Sequence, residues 1–258
     1  MRLMKRILSA AAVLALSASL LVGCSSGTAS SVPVSASSAA ESTVSSVEET
    51  ASSAVDENEA AAVQLLNDLT GSYQELWPVI LADEYKQTWL DDCTALVGED
   101  NAEAAFEKLS SMVTGDVYGE DAVKAYANGG GAYFCGFTNS LATLTFDGET
   151  STISGTDKDG NVLFSHTYHY IGMEPVRGLY EFESDDADSG EFTYFFLAPD
   201  TSAETYHIEF RYGSDAEALS QYDAGEYAYW LASGISTDCD QTMIDNCIEL
   251  FCTENLAG

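Results

Sequence analysis

Apolar residues recur at three- and four-residue steps in the first half of the chain and at every second residue through much of the second half. Val63, Leu66, Leu69, Tyr73 and Leu76 form one helical stripe, so the spacing predicts a helix over Glu59 to Leu76. Pro78 interrupts it, and a second helical piece runs from Val79 to Leu96, ending near Gly98. Trp77 and Trp89 are expected to anchor these pieces on the core. A third helix, Asn101 to Val113, buries Ala105, Phe106, Leu109, Met112 and Val113 and stops at Gly115. Asp121 to Tyr126 reads as a further short turn.

From Gly129-Gly130-Gly131 the period changes to two. Ala132 to Thr138, Leu141 to Phe146, Thr150 to Ser154, Asn161 to Tyr170, Leu179 to Glu183, Phe192 to Leu197 and Tyr206 to Tyr212 read as strands, with Asp147-Gly148 and Asp159-Gly160 as hairpin turns. About seven short strands joined by tight turns predict an antiparallel meander closing into a small barrel, which removes exposed sheet edges. After a partly helical acidic segment from Ala216, a last helix over about Gln241 to Glu254 carries Ile244, Cys247, Ile248, Phe251 and Cys252 on one face, with Asp240 as its N-cap. The fold class is therefore mainly β with N-terminal helices (α+β): a small antiparallel β-barrel flanked by helices.

The first 58 residues have a different character. Arg2, Lys5 and Arg6 precede an apolar run from Ile7 to Leu21, the layout of a secretory leader. It ends in Leu21-Val22-Gly23-Cys24, which resembles the lipobox of bacterial lipoproteins and implies lipidation at Cys24. Residues 25–58 are rich in Ser and Ala, without aromatic residues or apolar periodicity, and read as a disordered tether. Such a chain spans roughly 30–35 Å on average. The expected organisation is a leader over 1–24, a tether over 25–58 and one folded domain over 59–258. The expected location is the extracytoplasmic face of the cell membrane, with the lipid anchor as the only membrane contact.

Charge narrows the partners. Past the leader six basic residues face 42 acidic ones, a net charge near −36. Nucleic acid is excluded as a partner for such a field, and cations are drawn to it. Beyond Cys24, Cys93, Cys135, Cys239, Cys247 and Cys252 remain, with no CxxC spacing; they read as small core residues with one or two disulfides of undetermined connectivity.

All three histidines, His166, His169 and His207, fall between Phe164 and Gly213. His207 and Glu209, two apart on a strand, point to one face and are suitable zinc ligands. His166 and His169, three apart, face opposite sides unless a bulge intervenes, and the sequence leaves open which side is inward. No GxSxG, HExxH or Cys-His signature is present, and the three consecutive glycines lack the Lys-Ser/Thr of a phosphate loop. No catalytic residue is assigned, and the expectation is a protein that is not an enzyme.

The span from about Leu65 to Asn255 resembles the ZinT family of exported bacterial zinc-binding proteins. The residues that carry the resemblance are Leu69-Thr70-Gly71-Ser72-Tyr73-Gln74-Glu75-Leu76-Trp77-Pro78, Arg177-Gly178-Leu179-Tyr180-Glu181-Phe182-Glu183, and Ala198-Pro199 followed by His207-Ile208-Glu209-Phe210-Arg211-Tyr212-Gly213. It implies a calycin-like barrel with N-terminal helices and a zinc site of three histidines, one just before the Ala-Pro and a His-x-His pair on the next strand. Carried onto this chain, the pair becomes His207 and Glu209, and the first position falls near Phe195, which cannot bind metal. The expected metal ligands are therefore His207 and Glu209, with His169 or His166 supplying the missing imidazole, and with Glu181 or Glu183 as supplements. Zn²⁺ is the expected ion, captured for uptake or homeostasis, with a metal ABC transporter as the partner the resemblance implies. Two other readings stay open: a barrel whose Tyr- and Phe-rich interior holds a small molecule, and a cell-surface interaction domain whose histidines are structural.

Overall fold

The computed structural model describes residues 57–199 and 204–257. The leader, Cys24 and nearly all of the expected tether lie outside the described residues. The chain begins with a helix, α1, over residues 57–68. Strand β1 (Gly71–Glu75) follows, then helices α2 (Leu76–Ile80), α3 (Lys86–Val97), α4 (Glu99–Val113) and α5 (Glu120–Ala127). The sheet continues as β2 (Thr143–Asp147), β3 (Thr152–Thr156), β4 (Val162–Met173), β5 (Tyr180–Ser184), β6 (Tyr194–Leu197) and β7 (His207–Gly213). Helix α6 (Ala216–Leu219), strand β8 (Ala232–Ser236) and helix α7 (Gln241–Leu256) complete it.

The eight strands form a closed antiparallel barrel in sequence order, with β8 pairing back onto β1. Alternation assigns the two faces. Ile208, Phe210 and Tyr212 of β7 share the interior with Phe146, Phe164, Phe182 and Phe195, all nearly or wholly buried. Ala62, Leu65, Leu66 and Leu69 join this cluster, so the apolar stripe of α1 is spent on the barrel core. A second cluster lies on the outer side. There Trp77 and Ile80 of α2, Trp89 and Cys93 of α3, Leu109 of α4 and Ile248 and Cys252 of α7 pack with Ile235, an outward residue of β8. Trp89 donates its indole N–H to the Ile80 carbonyl at 2.7 Å, and Trp77 meets Phe251 edge-on at 4.8 Å. Both tryptophans are the anchors expected of them.

Three expectations are corrected. The predicted first helix stops short, because Gly71–Glu75 is β1. Tyr73 is buried inside the barrel, edge-on to Phe146 at 5.6 Å, and the backbone at Gly71 has φ 148°, outside the range of L side chains. The predicted strand over Ala132 to Thr138 forms only isolated bridges, through Phe134 to Thr114 and to Trp230. The strand β8, Ala-Ser-Gly-Ile-Ser, adds an eighth strand to the seven that the sequence pattern predicts. Its small residues give no alternation, because Ile208 packs where Gly234 has no side chain. The two predicted turns are present: Asp147 Oδ1 accepts from the Glu149 N–H at 3.1 Å, and Gly160 takes φ 80°. Asp240 caps α7 by accepting from the Met243 N–H.

Candidate metal site

Because Ile208, Phe210 and Tyr212 point inward, His207, Glu209 and Arg211 point outward, the first two toward α2 and α7. The pairing confirms the parity: His207 lies opposite Ile235 and Glu209 opposite Ser233 on β8. His207 and Glu209 line one cleft with Trp77 of α2 and with Cys247, Phe251 and Glu254 of α7; its empty volume, the solvent at its mouth included, is about 350 Å³. The imidazole is held from its own loop, where Thr205 Oγ1 lies 2.6 Å from His207 Nδ1. When Nδ1–H donates to Thr205, the ring is in the tautomer whose Nε2 carries the lone pair that a metal uses.

The thiols near the cleft are less available. Burial pushes the Cys247 thiol up to about 12, and its Sγ donates to the Thr205 carbonyl at 3.3 Å. Burial, with the Glu209 carboxylate adding to it, raises Cys135 to about 12 as well. Burial thus disfavours the thiolate at both, while His207 and Glu209 offer the cleft a nitrogen and an oxygen donor.

The other two histidines lie elsewhere. On β4, Phe164, His166 and Tyr168 face inward, and His166 is stacked on Phe164 at 5.9 Å. Its Nδ1 lies 2.7 Å from Asp186 Oδ2. His169 is exposed on the outer face and its Nδ1 lies 2.7 Å from Asp185 Oδ1. Strands β5 and β6 stand between β4 and β7 in the barrel order. The expectation that one of these imidazoles meets His207 inside the barrel is therefore corrected: His207 is not inside, and His166 and His169 have aspartate partners of their own. Glu183 lies beside His169 across the β4–β5 ladder, and Glu181 is two residues further along β5. Phe195 faces the packed interior, opposite Tyr212 on β7. Among the described residues, no three or more His, Cys, Asp or Glu side chains are grouped so as to hold a metal ion.

Two buried charged groups escaped the sequence reading. Arg211 is fully buried and donates to the carbonyls of Leu219, Gln221 and Tyr227, tying down the segment between β7 and β8. Glu174, also fully buried, accepts from the Val176 and Arg177 N–H groups at 2.8 and 2.6 Å. Tyr222 has the guanidinium carbons of Arg177 and Arg211 each 4.4 Å from its ring centre. Nothing local in the sequence marks this network, because its members come from distant segments.

No protein-family model matches the chain, and no curated protein matches it. Among solved structures, the Zn(II)-bound ZinT-like domain of Streptococcus pneumoniae AdcA aligns over 71% of this chain and 89% of its own, at 16% identity and a TM-score of 0.45. Zn(II)-bound AdcA from the same organism aligns over 72% of this chain and 35% of its own, at 14% identity and a TM-score of 0.43.

Proposed function

We propose that the protein is a lipid-tethered extracytoplasmic binding domain that captures a divalent cation, with zinc as its cargo. The observation that carries this reading is the placement of His207 and Glu209 side by side on the outer face of β7, in a cleft whose far wall includes Glu254 of α7. An imidazole and a carboxylate suit zinc better than they suit the hard, oxygen-seeking Ca²⁺ and Mg²⁺. Two neighbouring donors, with water completing the coordination, hold the ion loosely, which suits delivery to a metal ABC transporter better than permanent storage. The strongly acidic chain raises the local concentration of cations. The leader and Cys24 support an address on the extracytoplasmic face of the cell membrane.

The test is a zinc titration of the chain against a chelating indicator, beside His207→Ala, Glu209→Ala and the double variant His166→Ala/His169→Ala. The expected result is stoichiometric binding lost in the first two and kept in the third. Binding that His207→Ala leaves unchanged would overturn the reading. The aspartate partners of His166 and His169 favour a second reading, a surface interaction domain with structural histidines, for which zinc leaves the melting temperature unmoved. The small-molecule reading loses its ground, because the aromatic side chains of the barrel interior pack against one another.

A further inference from the structure

Cys93 of α3 and Cys252 of α7 are fully buried, and their Sγ atoms lie 3.9 Å apart. Among the described residues no other two cysteines are in sulfur contact. We propose that Cys93 and Cys252 are joined as a disulfide in the exported protein, fastening the N-terminal helical layer to the C-terminal helix. A disulfide brings its sulfurs to about 2.05 Å, so the pair must close by roughly 2 Å, a distance within reach of side-chain rotation and small adjustment of two packed helices. Among the described residues the other three cysteines are engaged elsewhere: Cys247 bonds the Thr205 carbonyl, Cys135 lies near the Tyr133 carbonyl, and the half-buried Cys239 acts on Cys247.

The reaction breaks two S–H bonds and forms one S–S bond. The S–S bond of an oxidised disulfide carrier breaks in exchange, and the carrier takes up the two protons and two electrons and leaves as its dithiol. The attacking species is a thiolate. Burial raises the pKa of both thiols, so the folded pair is a poor nucleophile. Exchange therefore takes place before α7 settles over α3. Once formed, the bond is shielded from reductants by the same packing. The closed loop contains β2 through β8, so the link restricts the unfolded chain strongly. It also fixes α7, whose Cys247, Phe251 and Glu254 wall the cleft. The proposal does not depend on zinc binding.

The test compares two samples of the full chain, one extracted from the envelope of a bacterial host and one refolded in a glutathione redox buffer. Each is unfolded, alkylated and mapped by non-reducing peptide mass spectrometry. The expected result in both is a Cys93–Cys252 linked peptide that a reductant releases. Reductant should lower the melting temperature by roughly 5–15 °C and have no such effect on Cys93→Ala/Cys252→Ala. Alkylation of both thiols in the refolded chain, or linkage of either to another cysteine, would overturn the proposal. Linkage in the refolded sample alone would overturn it as well, because the pair would then be a dithiol in the protein's own compartment.

Discussion

Thr205 Oγ1 stands 2.6 Å from Nδ1 of His207, so the histidine of the cleft is oriented by the residue two positions before it. Partners of this kind fix the tautomer and the direction of a ligating ring, and losing one commonly costs 10- to 100-fold in metal affinity. Thr205→Val should therefore weaken zinc by about tenfold or more with His207 intact, and Thr205→Ser should restore it. A competition titration against a chelator reads the change. Equal affinity in all three proteins would remove Thr205 from the site.

Phe195 lies near the position where the resemblance implies a histidine, yet it shares the interior with Phe210 and Tyr212 while His207 and Glu209 lie on the other face. Phe195→His should not create a tighter zinc site. It should instead destabilise the barrel by about 3 kcal/mol or more, because an aromatic ring is lost from the core and a polar one is buried there. Denaturant unfolding with and without zinc tests both parts. A gain in zinc affinity of tenfold or more would mean that the face of β7 is assigned wrongly.

The barrel was legible in the sequence because its central strands are long enough to show alternation. β7 alternates polar and apolar residues from His207 to Tyr212, and the middle of β4 does so from Phe164 to Tyr168. β1 was hidden because Tyr73 and Leu76 continue the spacing of the helix before them, although Tyr73 is buried by the sheet. β8 was hidden because Gly234 and its small neighbours leave no apolar rhythm. The joint facing of His207 and Glu209 follows from alternation alone, but which face it is depends on tertiary packing. Local pattern does not distinguish a barrel interior from an outer wall covered by helices, since both present apolar surroundings. The gathering of three histidines in one stretch of sequence does not gather them in space, because strand order separates what sequence order brings close.

Gly148 shows how closely α1 docks on the turn between β2 and β3. Its N–H donates to Thr70 Oγ1 at 3.0 Å, and an added Cβ would stand 2.6 Å from both the Asn67 nitrogen and the Leu66 carbonyl oxygen. These are backbone atoms of α1, which do not yield as a flexible side chain would. Gly148→Ala should cost about 1–3 kcal/mol, with proteolysis near residues 57–70 becoming faster as α1 loosens. Unchanged stability would show that α1 is free to shift on the barrel.

Buried tyrosines set an alkaline limit on the fold. Burial, with the charge of Tyr206 adding to it, pushes Tyr73 up to about 12. Burial and then the Glu174 carboxylate do the same for Tyr222, and burial carries Tyr168 and Tyr212 higher still. In the unfolded chain these phenols ionise near the ordinary value of about 10. Above that pH the unfolded state has released protons that the folded state still holds, so stability falls as pH rises. The contribution is fully present below pH of about 10 and is lost as pH climbs through about 12. The urea midpoint should hold steady up to the lower of these values and drop beyond it, with phenolate absorbance from the core tyrosines rising only as the barrel unfolds. Phenolate formation by all the tyrosines near the ordinary value, with no loss of structure, would show that these side chains are open to water.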